Sequence, residues 1–404
     1  MTHFNRLMLN LLMTTLATGQ TPLFADEPNG LATPDFQLLW PEGAPDAKGD
    51  TPADQPAVWI YRPTARPNGT AVVICPGGGY AIHATDHEGV QPARFFNRMG
   101  VTAVVLRYRL SPYRHPVPLG DAQRAIRYLR HHAEDLEIDP HRIGIMGFSA
   151  GGHLTSTAVT HFDSGRKDSA DPIEQHSSRP DFGILGYPVV SFVADYAHQG
   201  SGRNLLGNAA TEEQLQELSN DQHVSTDTPP VFLFHTSEDG GVPPQNSLAF
   251  FTACHQAGVA AELHVYQQGP HGVGMGFGHP ALQNWMHHAG TWLRQNSLLT
   301  SKKQVPVEGN VEINGKPLRW GSIAFQSDDQ SLPVGWGMIN KGRFNIPAKN
   351  GPVPGHYNVV VTDMGQIEPQ PVAPDARVSE PVPVTVTEHP SSMNFTLEIM
   401  PSDK

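Results

Sequence analysis

The sequence predicts an α/β fold, a mostly parallel sheet with helices on both faces, followed by a small all-β sandwich domain. Three observations carry this expectation. From Ala57 to about Trp292, short β-branched runs alternate with stretches that space their apolar residues as a helix does. The runs themselves are almost continuously apolar, as strands covered on both faces require. After Leu299 the helical period stops, and short alternating strands follow between Gly, Pro and Asn-Gly turns. At 404 residues the chain also exceeds what one hydrophobic core supports, so a main domain plus a smaller one is expected.

Taken in order, the chain opens with Arg6 ahead of an apolar stretch from Leu7 to about Leu16, then small residues and a polar start near Asp26. This is the pattern of a secretory signal peptide over residues 1–25. The stretch is shorter than the roughly 20 apolar residues a bilayer needs, and Asn10 and Thr14 interrupt it. Export is therefore expected, periplasmic or extracellular, with no integral membrane span after signal removal. TAVVIC (Thr70 to Cys75), TAVVLRY (Thr102 to Tyr108), RIGIMG (Arg142 to Gly147), FGILGY (Phe182 to Tyr187), VFLFHT (Val231 to Thr236) and ELHVY (Glu262 to Tyr266) are the expected strands. Helical spacing falls on Val90 to Gly100, Asp121 to Leu136, Ser149 to Val159, Asn246 to Gly258 and Ala281 to Gln295.

His161 to Pro180 is polar and reads as a surface loop, and Ala197 to Pro230 as a partial cap over the top of the sheet. The expected domains are thus 26–300 for the α/β part and 305–404 for the β-sandwich. The 27 basic and 39 acidic residues give a net charge of −12, which argues against nucleic acid as a partner. Cys75, at a strand end, and Cys254, in a helical stretch, read as small buried hydrophobes rather than a bridge.

GFSAGG (Gly147 to Gly152) fits GxSxG directly after a strand and directly before a helix, the context in which that short pattern becomes informative. The chemistry needs a sharp turn that lifts Ser149 Oγ above the sheet, and Gly147 and Gly151 lack the Cβ atoms that would clash there. A serine hydroxyl needs a base, and after such a turn the chain order is Ser, then Asp or Glu, then His. Glu238 and Asp239 fall in the loop after one apolar strand, and His271 in a Gly-Pro-His-Gly turn after the next. Asp239 is preferred over Glu238 because its shorter side chain, in a Gly-rich turn, can hold the imidazole Nδ1–H rigidly. CPGGGYAIH (Cys75 to His83) supplies a glycine loop whose amides can meet an oxyanion, with the Ala150 amide as a further donor, each worth roughly 3 kcal/mol in a transition state. No GxxxxGK[ST] or complete GxGxxG accompanies that loop, so a nucleotide reading is poor.

Together and in this order, PGGGY, EGV, LRYRL, DAQRAIRYLR, GFSAGGHL, HTSEDGGVP and GPHG resemble the bacterial acetylxylan-esterase and feruloyl-esterase-like α/β hydrolases, relatives of dienelactone hydrolase and of hormone-sensitive-lipase-type carboxylesterases. The resemblance covers roughly Leu38 to Gln295. It implies the α/β-hydrolase fold, Ser149, Asp239 and His271 as catalytic triad, and Gly78, Gly79 and Ala150 as oxyanion donors. Pro76 stands where lipase-type esterases usually carry a His, a departure that bears on the second donor. The C-terminal part is similar to carboxypeptidase-regulatory or transthyretin-like β-sandwiches.

The expected function is hydrolysis of an ester through an acyl-enzyme, the substrate an acetyl or feruloyl ester on a plant or algal polysaccharide. Tyr80, His83 and His153 are candidate pocket residues. No cofactor and no metal is expected: His131 with His132 and His287 with His288 are adjacent and point apart on a helix, and no HExxH-like spacing occurs. A prolyl-oligopeptidase-type peptidase would use the same triad but usually carries a propeller ahead of it. A non-catalytic carbohydrate-binding protein would lack a triad member, whereas all three occur here.

Overall fold

The computed structural model describes residues 33–398, apart from 65, 330, 366–376 and 390. The expected signal peptide lies outside the described residues. Among those described, no helix is long and apolar enough to cross a membrane.

Eight strands, β1 (Asp35–Leu38), β2 (Ala57–Tyr61), β3 (Ala71–Cys75), β4 (Thr102–Arg107), β5 (Ile143–Phe148), β6 (Phe182–Gly186), β7 (Val231–Thr236) and β8 (Ala261–Tyr266), form one sheet in the order β1-β2-β4-β3-β5-β6-β7-β8. Strands from β4 onward pair in parallel, and β2 runs antiparallel to both β1 and β4. β3, β5, β6 and β7 are buried along their whole length, the physical reason their sequences read as unbroken apolar runs. The apolar pattern does not single out β1 and β2. β1 is largely exposed at the sheet edge, and no helix separates β2 from β3.

Seven helices accompany the sheet: α1 (Gln91–Arg98), α2 (Val117–His131), α3 (Ser149–Thr160), α4 (Gln199–Leu206), α5 (Glu212–Glu217), α6 (Gln245–Gln256) and α7 (Asn284–Gln295). α2 starts four residues before the sequence period does. Pro118 sits in its first turn, where a fixed φ suits a helix start although the same residue reads as a breaker in sequence. Cys75 and Cys254 are both free and buried.

Three arginines at spacing i, i+3 and i+6 put one face of α2 against the polar segment 161–181. Arg124 meets Asp171 at 2.6 Å and Glu174 at 3.0 Å, and Arg127 donates to Asp163 at 2.6 Å. Arg130 reaches the Pro140 carbonyl at 2.8 Å and Asp181 at 3.1 Å. That segment therefore runs over the surface as expected, but it is pinned by charge.

After Leu299 the chain changes character as the sequence indicates. β9 (Val307–Ile313), β10 (Lys316–Pro317), β11 (Trp320–Gln326), β12 (Gly335–Asn340), β13 (Arg343–Ile346), β14 (Gly355–Asp363), β15 (Arg377–Val378), β16 (Val382–Val386) and β17 (Ser391–Leu397) belong to a second sheet. Its main ladder runs β17-β9-β13-β12-β11-β14-β16, antiparallel except for the parallel β9–β17 pair. Val311, Ile323, Phe325, Ile339, Phe344 and Phe395, drawn from strands along that ladder, meet in one core. The sandwich-like layer is thus one sheet curled about its own apolar face.

The LRYRL and DAQRAIRYLR segments meet in a buried ion pair. Arg109, on the chain leaving β4, donates its guanidinium to Asp121 of α2 at 2.6 and 3.0 Å, and Asp121 also accepts the Arg109 backbone amide at 2.8 Å. Asp121 is fully buried and Arg109 nearly so. Asp121→Ala is expected to destabilise the chain by about 3–5 kcal/mol, because it strands a buried guanidinium. Chemical denaturation of both proteins measures this, and a loss below about 1 kcal/mol would show that the pair is dispensable.

Candidate active site

The site is built at the C-terminal ends of the central strands, where open α/β sheets collect loops. β5 hands over to α3 with no intervening residue, and Ser149, the first residue of α3, is held at φ +53. Such a conformation costs a non-glycine residue about 1–3 kcal/mol, so the surroundings must impose it. They do so by close packing. A Cβ on residue 147 would lie 2.0 Å from the Gly151 carbonyl oxygen, and one on residue 151 would lie 2.0 Å from the Cys75 carbonyl oxygen at the end of β3.

Ser149 Oγ, 2.8 Å from His271 Nε2, is mostly buried. On the other side of the ring, Nδ1 is 2.7 Å from Asp239 Oδ2. Asp239 Oδ1 accepts the Gly241 and Val242 amides at 2.9 and 2.8 Å. Burial pushes this carboxyl up, but hydrogen bonds from His235, His271 and Val242 outweigh it and hold the group well below the usual carboxylate range. An acceptor on Nδ1 puts the ring hydrogen there and leaves an Nε2 lone pair facing the hydroxyl. Glu238, by contrast, is exposed and accepts the Gly269 amide at 3.3 Å.

The glycine loop after β3 lies directly over the turn between β5 and α3: a Cβ on residue 77 would stand 3.0 Å from Ser149 Cβ. Gly78 and Gly79 both have positive φ, +127 and +66. The Gly77 amide is taken by Glu88 Oε2 at 2.8 Å, so the amides of this loop that can serve a ligand are those beyond it. Ala150, in the first turn of α3, carries one of the amides a helix start leaves unpaired.

Two of the three pocket candidates, Tyr80 and His153, lie inside the core rather than on a pocket wall. Tyr80 and His153 are fully buried and hydrogen-bonded to each other at 2.9 Å, so neither has surface to offer a substrate. His153 Nε2 donates to the Leu218 carbonyl at 2.9 Å and its ring stacks on Phe192. Nδ1 therefore accepts the tyrosine hydroxyl, and burial pulls this histidine down to about 3, a neutral ring. The pair ties the glycine loop to α3 and to the segment after α5. His83 is partly buried, edge-on to Tyr108 at 4.6 Å, and pulled down to about 4 chiefly by burial.

Residues with no sequence signal complete the arrangement. Glu88 is buried and accepts from Gly77 and, at 2.7 Å, from the Tyr187 hydroxyl; Tyr187 in turn accepts the Gly274 amide at 2.8 Å. Burial first, then the Glu88 carboxylate, pushes the Tyr187 phenol well above its ordinary value, so it keeps the proton it donates. Two side chains, Glu88 and Tyr187, thus join the glycine loop, the end of β6 and the His271 loop. His235, fully buried in β7, stands 3.4 Å from Asp239 Oδ2 and donates to the Val242 carbonyl at 2.8 Å. Asn204 of α4 donates to the Gly79 carbonyl at 2.8 Å. The EGV segment already contained Glu88, but contacts 11 and 99 residues away leave no local pattern.

A family model described as BD-FAE matches residues 59–253. The chain is 38% identical over 206 residues to endo-1,4-beta-xylanase B of Butyrivibrio fibrisolvens, covering 50% of this chain and 32% of that protein. It is 33% identical over 232 residues to an acetylxylan esterase of Xylanibacter ruminicola, covering 56% of this chain and 46% of that protein. The chain therefore spans about a third to a half of the length of these curated relatives. The crystal structure of the acetyl ester-xyloside bifunctional hydrolase from Caldicellulosiruptor lactoaceticus superimposes with a TM-score of 0.62 at 41% identity, covering 66% of this chain and 97% of that one. With that identity across nearly the whole of a solved relative, the chain belongs to the BD-FAE family of α/β-hydrolase esterases.

Proposed function

We propose that this protein is an exported serine esterase that hydrolyses acetyl or feruloyl esters of plant or algal polysaccharide through an acyl-enzyme on Ser149. The observation that carries the reading is the continuous Ser149–His271–Asp239 hydrogen-bonded line, at 2.8 and 2.7 Å, starting from a serine held at φ +53. Ser149 Oγ attacks the ester carbonyl while His271 Nε2 takes its proton. The Gly78, Gly79 and Ala150 amides donate to the developing oxyanion. His271 then gives the proton to the departing alcohol, and water, deprotonated by the same nitrogen, cleaves the acyl-enzyme. Asp239 stays ionised throughout, orienting the ring and stabilising the imidazolium. Support for the substrate class comes from relatives named as an acetylxylan esterase and an acetyl ester-xyloside hydrolase. Support for export comes from the Arg6-led apolar stretch at the N-terminus.

Ser149→Ala is expected to abolish turnover of an aryl acetate while the circular dichroism spectrum is unchanged; retained turnover would remove Ser149 from the reaction. Asp239→Asn is expected to lower kcat by about three to four orders of magnitude, and Glu238→Gln by less than about threefold because that side chain is exposed. The reverse ranking would transfer the orienting role to Glu238. A panel of acetylated xylo-oligosaccharides, feruloyl esters and aminoacyl amides reads the substrate class, and preference for the amides would overturn it.

The division into a catalytic part ending near residue 300 and a separate β domain is also proposed. It rests on the second sheet having its own core and on the open cleft between the parts, lined by Phe95 and Met286 on one side and Asp328 and Ser331 on the other. Truncation after Ser301 should leave kcat/KM for an aryl acetate within about twofold, since inter-domain contacts of this kind are modest. If the truncated chain melts cooperatively yet loses most of that activity, the β part shapes the site and the division fails.

A further inference from the structure

His161, Glu217 and His223 come together far along α3 from Ser149. Each brings one ligand atom, all within 4.8 Å of one another. His161 caps the C-terminus of α3, its backbone held by the Thr157 carbonyl and by Gln123. Glu217 ends α5, and His223 follows the 3-10 turn Asn220–Gln222. Asn220 presses that turn onto α3 through Ser156 Oγ at 2.7 Å and Thr157 Oγ1 at 3.0 Å. Two of the three ligands are therefore set on anchored backbone.

The hydrogen bonds fix where the lone pairs are. Thr160 Oγ1 donates to the Ser156 carbonyl at 2.8 Å, so toward His161 Nδ1, also 2.8 Å away, it accepts. His161 Nε2 is left with a lone pair; the atom is buried and has no hydrogen-bond partner among the described residues. His223 Nε2 donates to the Gln216 carbonyl at 3.1 Å, and the neutral ring keeps its lone pair on Nδ1. His161 Nε2 already stands 3.5 Å from Glu217 Oε1. Tetrahedral zinc with bonds of about 2.0–2.1 Å places its ligand atoms about 3.4 Å apart. An imidazole whose second nitrogen is engaged by an oxygen is the usual oriented metal ligand. A proton shared between one ring and Glu217 would satisfy one lone pair and leave the other facing a carboxylate.

We infer that these three side chains bind one zinc ion, with the fourth position open to water, and that the ion clamps the α5 segment to the end of the α3 helix. Two imidazoles and one carboxylate suit zinc, whereas the all-oxygen preference of calcium and magnesium does not. The site is independent of the ester chemistry proposed above. It also departs from the sequence reading, which expects no metal, because its ligands are 56 and 6 residues apart and form no motif.

Full-length protein without a histidine tag, stripped with chelator and dialysed against micromolar ZnCl2, is expected to retain one zinc per chain by elemental analysis and to melt several degrees higher than the stripped form. Magnesium should give no shift. His223→Ala and the shape-conserving Glu217→Gln, both at partly or fully exposed positions, should lose the zinc and its thermal shift while keeping the parent's circular dichroism spectrum. Cobalt in place of zinc should show the strong visible bands of a four-coordinate site, absent in both variants. Failure to retain stoichiometric zinc overturns the inference. So does zinc retained undiminished by both variants, which would assign the binding to other histidines such as His287 and His288.

Discussion

The whole arrangement depends on how closely the end of β3 approaches the turn between β5 and α3. These two strands are parallel neighbours, with Cys75 opposite Gly147. The carbonyl of Cys75 leaves no room for a Cβ at residue 151, and the Gly151 carbonyl none at 147. Helix α3 can therefore begin on the residue after β5 only if Ser149 takes the positive φ it shows. The strain is local and costs about 1–3 kcal/mol, against a sheet core in which β3, β5 and β6 are buried along their whole length. Apolar burial of that extent, at about 25 cal/mol per Å², outweighs the strain. The same close approach lays the glycine loop over the serine, so Ser149 and the candidate oxyanion donors are positioned by one packing event.

Glu88 is the electrostatic counterpart of that packing. A buried carboxylate is costly unless each oxygen has a donor, and here each has one, from Gly77 and from Tyr187. Because Tyr187 also accepts the Gly274 amide, displacement of the His271 loop would leave the oxygen of a buried hydroxyl without its donor. Trp285, stacked on Phe234 and donating to the Gly274 carbonyl at 3.2 Å, holds the other side of the same residue. The imidazole is thus held at a fixed distance from the serine by groups that never touch it through hydrogen bonds.

This division explains what was legible in the sequence. Ser149, Asp239 and His271 sit in short segments whose composition is dictated locally, by a tight turn or by a loop after an apolar strand. Six central strands were legible because burial on both faces imprints an unbroken run. Glu88, Tyr187 and His235 were not, since their partners are set by how loops from different strands meet. Tyr80 and His153 show the converse error. A tyrosine beside a glycine loop and a histidine one turn after Ser149 look like pocket residues in sequence. The helix turns His153 inward, where its two nitrogens face an acceptor and a donor. The start of α2 was misplaced for a related reason, because proline reads as a breaker except in the first turn of a helix.

The inward orientation of His153 also shows why the segment after α5 is held against α3. Leu218 accepts from His153, and Asn220 donates to the His153 carbonyl at 3.3 Å as well as to Ser156 and Thr157. Ser156 and Thr157 also return their own hydroxyls to the His153 carbonyl, at 2.9 and 2.8 Å. Hydroxyls bonding back to preceding carbonyls weaken an isolated helix, and α3 carries three of them plus two glycines, a composition of poor intrinsic propensity. Its stability must therefore come from tertiary contacts. The sheet supplies them on one side, and the 218–220 turn supplies the hydrogen bonds that the hydroxyl-rich face would otherwise seek from water. A helix built in this way can pack its small residues tightly against β5 and β6, and that tight packing is what lets the sharp β5–α3 turn at Ser149 exist.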